Sequence, residues 1–148
     1  LSLKYPYKAF PIATPNPAFP KYNVAWRPAL NVSIFYKRTR TTPIQCILDT
    51  GSTYCLFRAD VGEAVGIDVR AGKKYDLGGI SQQMKVTFYF HAIKLYVAAC
   101  YIEIMAGFSY ELPMAGLLGH LGFFDHFIVT FDNTPHPPIF EVQQIARH

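Results

Sequence analysis

Along much of its length this chain changes sides every second residue. Ile93, Leu95 and Val97 fall on one face of an extended segment, and Lys94 and Tyr96 fall on the other. Tyr101 to Met105 alternates in the same way, and Asn31 to Tyr36 tends to it. A two-residue period is the pattern of a half-buried strand, not of a helix. The alternating segments are short, and turn-forming residues separate them. Twelve Phe and ten Tyr suit such strands. The pattern predicts a mostly-β, barrel-like domain with one or two short helices.

With 148 residues, half of them apolar and 16% charged, the chain has the size of one globular domain with a real core. The formal charge of +4 is mild. Basic residues gather only at Lys37-Arg38-Thr39-Arg40 and Lys73-Lys74, where turns are expected. Nucleic-acid binding is therefore not expected, since it needs a larger basic face. No apolar run approaches the ~20 residues of a membrane span. The longest, Ile93 to Met105, is broken by Lys94 and Glu103. No signal peptide is evident, and the chain, beginning at Leu1, reads as a trimmed piece. Cys46, Cys55 and Cys100 are odd in number and contain no CxxC pair. They read as buried thiols in a reducing, cytoplasmic setting. His91, His120, His126, His136 and His148 have no metal-ligand spacing. No metal or cofactor is expected.

Six of the eleven Pro lie in residues 1–28: Pro6, Pro11, Pro15, Pro17, Pro20 and Pro28. They exclude a helix and a central strand. The same segment carries Tyr5, Tyr7, Phe10, Phe19, Tyr22 and Trp26, which a free linker does not need. Residues 1–30 are read as an extended strap packed on the domain or on a partner chain, and 31–148 as the domain itself. Asn31–Tyr36 and Ile44–Leu48 read as a hairpin. Phe57, Val61, Ala64 and Val65 mark one face of a short helix, with Gly66 placed to stop it. Asp76 to Ser81 reads as a hairpin tip. Ala115 to Phe124 reads as a buried strand, a Gly turn and one helical turn. Ile139 to Val142 is read as an edge strand.

One segment carries chemistry. In Ile47-Leu48-Asp49-Thr50-Gly51-Ser52, two apolar residues deliver a carboxylate onto a turn, and the run occurs once. Gly51 tolerates unusual dihedrals and lets other backbone approach closely. Thr50 offers a hydroxyl for hydrogen bonding. Ser52 is able to bond the outer carboxylate oxygen or a substrate backbone. By itself an Asp-Thr-Gly triplet also serves ordinary β-turns. Here a Gly-rich hairpin follows, and Leu117-Leu118-Gly119 comes about 70 residues after the Asp.

In that order, from about Asn31 to Asp132, the chain resembles the retropepsin-like aspartic proteases. This single-lobed group includes retroviral proteases and related cellular and bacterial proteins. Ile47 to Ser52 matches the active-site motif. Gly78-Gly79-Ile80 looks like the flap tip, where glycines allow bending over a substrate and donation of backbone N–H groups. Leu117-Leu118-Gly119 looks like the second family motif, and Leu121 to Phe124 like the short helix after it. Leu117 to Asp132 looks closest to bacterial members. The resemblance implies a closed β-barrel monomer and a symmetric homodimer, with a peptide or protein substrate held between the subunits under flaps. Asp49 of each chain would then supply one of two carboxylates. Two facing carboxylates repel, share one proton, and so offer a base for water and an acid for the scissile carbonyl. The chain departs from retroviral members at His120, where they usually carry Arg, and at Thr53, where they carry an acidic residue.

Three other readings compete. A domain of this fold can bind peptides or serve structure without turnover. Leu48 to Thr53 superficially resembles a phosphate loop of sugar kinases, but a second phosphate motif is missing. Cys55 with a His as a nucleophile pair lacks anything that orders the two together.

Overall fold

The computed structural model describes residues 1–78 and 85–145. A closed barrel of six strands forms its centre. Around the barrel run β4 (Ala29–Tyr36), β6 (Ile44–Leu48), β11 (Gly116–Leu118), β7 (Leu56–Arg58), β10 (Cys100–Ser109) and β9 (Lys85–Val97), and β9 pairs back onto β4. Closure removes the open edges of the ring itself. Two strands hang from the ring: β5 (Thr39–Arg40) on β4, and β8 (Lys73–Gly78) on β9.

The ring closes because β4 and β9 change partners along their length. β4 pairs through Ala29–Val32 with β6, then through Ser33–Phe35 with β9. β9 runs beside β8 at its start and beside β10 towards its end. The two-residue period sets the register. Ile93, Leu95 and Val97 point inward, while Lys94 and Tyr96 face solvent. Val32, Ile34, Phe57, Leu95, Phe108, Leu118 and Phe123 are all but fully enclosed. Burying each such side chain contributes about 1.5–3 kcal/mol.

The Pro-rich leader contains three short strands. β1 (Ser2–Pro6) pairs antiparallel with β13 (Ile139–Gln144), which also pairs with β12 (Phe127–Asp132). β13 is therefore the central strand of a three-stranded sheet and not an edge, and Pro6 ends the edge strand β1. Tyr5 stacks on Phe140 with ring centroids 5.4 Å apart, and Tyr7 meets the same ring edge-on at 5.9 Å. β2 (Lys8–Pro11) and β3 (Val24–Arg27) form a separate antiparallel pair. The leader thus packs on the chain's own C-terminal hairpin.

Three local expectations need correction. Phe57 lies in β7, paired with Phe108 and Gly116, and not on a helix face. The helix proper is α1 (Ala59–Glu63), followed by a 3₁₀ turn at Val69–Ala71. Asp76 and Leu77 are still strand in β8, which ends at Gly78, so the expected tip starts no earlier than Gly78, and Gly79 to Ser81 lie outside the described residues. Leu121 to Phe124 forms no helix. Turns follow Gly119, with N–H groups of Phe124 and Asp125 reaching back five residues to the carbonyls of Gly119 and His120. No described helix is long and apolar enough to cross a membrane.

Candidate active site

β6 and β11 lie parallel, with Ile47 opposite Leu117 and Leu48 opposite Leu118. These apolar pairs anchor the strand that carries Asp49. The Leu48 N–H donates to Pro28 O at 2.9 Å, and the Asp49 N–H donates to Leu118 O at 2.9 Å. Asp49 is therefore set at the rim of the barrel, half-buried, with its backbone held on the second-motif strand. Thr50 and Gly51 beyond it are exposed.

The turn is built around the carboxylate. Oδ1 of Asp49 accepts the Gly51 N–H at 2.9 Å, and the Asp49 carbonyl accepts the Ser52 N–H at 3.1 Å. A Cβ at Gly51 would stand 3.2 Å from that same Oδ1, so glycine keeps the carboxylate uncrowded. Ser52 does not bond the carboxylate; its Oγ donates to Tyr54 O at 2.8 Å. Thr50 lies at the exposed crest of the turn.

The second loop laces onto the first. The His120 N–H donates to Ser52 O at 2.9 Å and the Leu121 N–H to Thr53 O at 2.8 Å. Such an approach requires Gly119: a Cβ there would lie 2.3 Å from Tyr54 O and 2.5 Å from Ser52 O. His120 adds a side-chain tie, from ring Nε2 to Thr50 O at 2.5 Å. The sequence offers only one signal for this contact, the position of His120 immediately after Gly119. An aromatic cluster next to the turn, Tyr54 with Tyr75 at 6.1 Å and with Phe90 at 5.2 Å, has no sequence signal at all.

The structure thus brings together Asp49, Thr50, Gly51 and Ser52 with Leu117, Leu118 and Gly119. Gly78 is exposed at the end of β8, opposite Lys85, with open space around it. Gly79 and Ile80, the rest of the expected flap tip, lie outside the described residues. Surface clefts of about 580 Å³ and 600 Å³ are lined by other segments, one by Phe35, Lys94 and Met105 among others, one by Tyr22, Trp26 and His136 among others. Among the described residues, no group of three or more His, Cys, Asp or Glu side chains could hold a metal ion. Burial pushes the Cys46 and Cys55 thiols up to about 12. At neutral pH Cys55 is therefore a packed thiol behind the loop and not a ready nucleophile.

No known protein-family model matches this sequence, and no curated protein matches it. Among solved structures, the chain is similar to the EIAV protease in complex with an inhibitor. That likeness has a TM-score of 0.46 and 21% sequence identity, and it covers 64% of this chain and 82% of the other.

Chemically, the loop presents one half-buried carboxylate, held through Oδ1. Such a group accepts a proton from a water or holds one for delivery. Amide hydrolysis by this route needs a base on the water and an acid on the carbonyl together.

Proposed function

We propose that this chain is one half of an aspartic endopeptidase. Two copies meet so that Asp49 of each chain faces the other across a two-fold axis. One carboxylate, ionised, takes a proton from the attacking water. The other, protonated, donates to the carbonyl oxygen of the scissile bond. The tetrahedral intermediate then collapses as a proton passes to the leaving amine, and the dyad returns to sharing one proton. Asp49 carries the chemistry, Thr50, Gly51 and Ser52 shape the loop, and Leu117, Leu118 and Gly119 brace it. Gly78, Gly79 and Ile80 are assigned to the substrate-covering flap on their sequence. The substrate is an extended peptide or protein segment, and no cofactor takes part.

The observation that carries this reading is the Asp49 carboxylate itself. It is half-buried at the end of a barrel strand, fixed by the Gly51 N–H and backed by the Gly116–Leu118 strand. The test is cleavage of a mixed peptide library from acid to neutral pH. Asp49→Asn should lower the rate by ~100- to 10,000-fold or more, the range of general acid–base catalysis, with fold and mass in solution unchanged. Wild-type rates in a clean Asp49→Asn preparation would refute the proposal.

One observation favours a second reading. β8 is an exposed edge strand, paired only with β9 among the described residues, and an extended peptide can add to such an edge. A peptide-binding domain without turnover would bind library peptides equally in wild type and Asp49→Asn and cleave none.

A further inference from the structure

The peptide unit joining Thr50 to Gly51 is gripped at both ends. Its N–H, that of Gly51, donates to Asp49 Oδ1 at 2.9 Å. Its carbonyl, that of Thr50, meets Nε2 of the His120 ring at 2.5 Å. A carbonyl oxygen only accepts, so Nε2 is the protonated ring nitrogen, and the contact selects that tautomer. The ring does not swing freely into place. The His120 N–H is bonded to Ser52 O, its carbonyl accepts the Asp125 N–H at 3.1 Å, and its ring packs beside Phe124 at 5.6 Å.

We propose that His120 is a positioning residue for Asp49, acting through the Thr50–Gly51 peptide. Three groups stand in series: the imidazole N–H, the peptide and the carboxylate. Hydrogen bonds in series polarise one another, so a donor on Thr50 O makes the Gly51 N–H a better donor to Oδ1. The same bond fixes the plane of the peptide, and with it the direction from which Oδ1 is held. Without His120 the exposed peptide is held at its N–H end alone, and the direction from which Oδ1 is held is less fixed. The ring bonds in both of its protonation states, because Nε2 carries a proton in each. The inference deepens the endopeptidase reading and rests on it for the catalytic consequence, while the hydrogen-bond chain is tested apart from activity.

The test uses the full chain as wild type, His120→Ala and His120→Gln. Gln keeps a side-chain N–H of similar reach; Ala removes the donor. Nitrogen NMR of the neutral wild-type ring should show the proton on Nε2, a measurement that needs no variant. In His120→Ala the Gly51 amide proton should shift upfield and exchange about tenfold faster or more, and in His120→Gln it should return towards wild type. With a cleaved library peptide, kcat should fall about tenfold in His120→Ala with KM within about twofold, and His120→Gln should recover most of the loss. A ring proton on Nδ1 would overturn the proposal. So would a Gly51 amide that ignores His120→Ala, or a loss appearing in KM alone. If the NMR changes occur but wild type cleaves nothing, the hydrogen-bond chain stands and the endopeptidase reading falls.

Discussion

At Gly119 the chain has no room for even a methyl group, because two backbone carbonyls crowd the place a Cβ would take. At Gly78 the same atom would meet nothing within 4 Å. Gly119→Ala should therefore destabilise the fold by about 1–3 kcal/mol through forced backbone shifts, and Gly78→Ala should leave stability near wild type. Denaturant midpoints of the two variants check the contrast. The two glycines look alike in the sequence, and only the packing of the two loops separates them. The Asp49 turn is more legible, since its bonds stay within three residues: Gly51 N–H to the carboxylate and Ser52 N–H to the carbonyl. His120 is not, because its ring reaches a carbonyl 70 residues away. Ser52 departs from the expected bond to the carboxylate for a related reason. Its hydroxyl takes the nearer carbonyl of Tyr54, which the strand after the turn brings into reach.

Among elements, α1 shows how a five-residue helix is ended. Gly66 has φ +87°, its N–H donates to Glu63 O, and the Ile67 N–H reaches back to Gly62 O. This is the Schellman arrangement, which satisfies the last carbonyls of a helix. Open space surrounds Gly66, so a substitution there is resisted by backbone conformation alone. Gly66→Ala should cost about 1–2 kcal/mol, read from thermal or denaturant unfolding. Gly66 as a stop is legible because the left-handed conformation demands glycine. The start of the helix is not legible. Phe57 has the right spacing for the helix face, yet pairing with Phe108 and Gly116 draws it into β7. β9 and β10 announce themselves through the alternation at Ile93 to Val97 and at Tyr101 to Met105. β13 hides its central position because its second neighbour, β1, lies at the opposite end of the chain. The Pro count correctly excludes a central strand in the leader and says nothing of an edge strand. After Gly119, bonds reaching back five residues replace the expected helical turn.

For the whole molecule, barrel closure follows from β4 and β9 meeting, a pairing between residues about 60 positions apart that no local pattern encodes. Closure also buries Cys46 and Cys55, and this has a consequence for stability. Each thiol keeps its proton in the folded state up to about 12, against an ordinary value of 9.0. The unfolded chain gives up those protons first. The folded state binds more protons over that window, so this contribution to stability is complete below about pH 9 and is lost as pH rises towards about 12. Denaturant midpoints should fall between neutral pH and pH ~10, and Cys46→Ala should lessen the slope. The barrel carries one Asp49, and the proposed chemistry needs two. Mixing wild type with Asp49→Asn at fixed total concentration, after exchange of subunits, tests that claim most directly. If both carboxylates are required, peptide cleavage falls as the square of the wild-type fraction, to about a quarter in an equal mixture. A fall in simple proportion to the wild-type fraction would show that one chain suffices and would contradict the paired-carboxylate account.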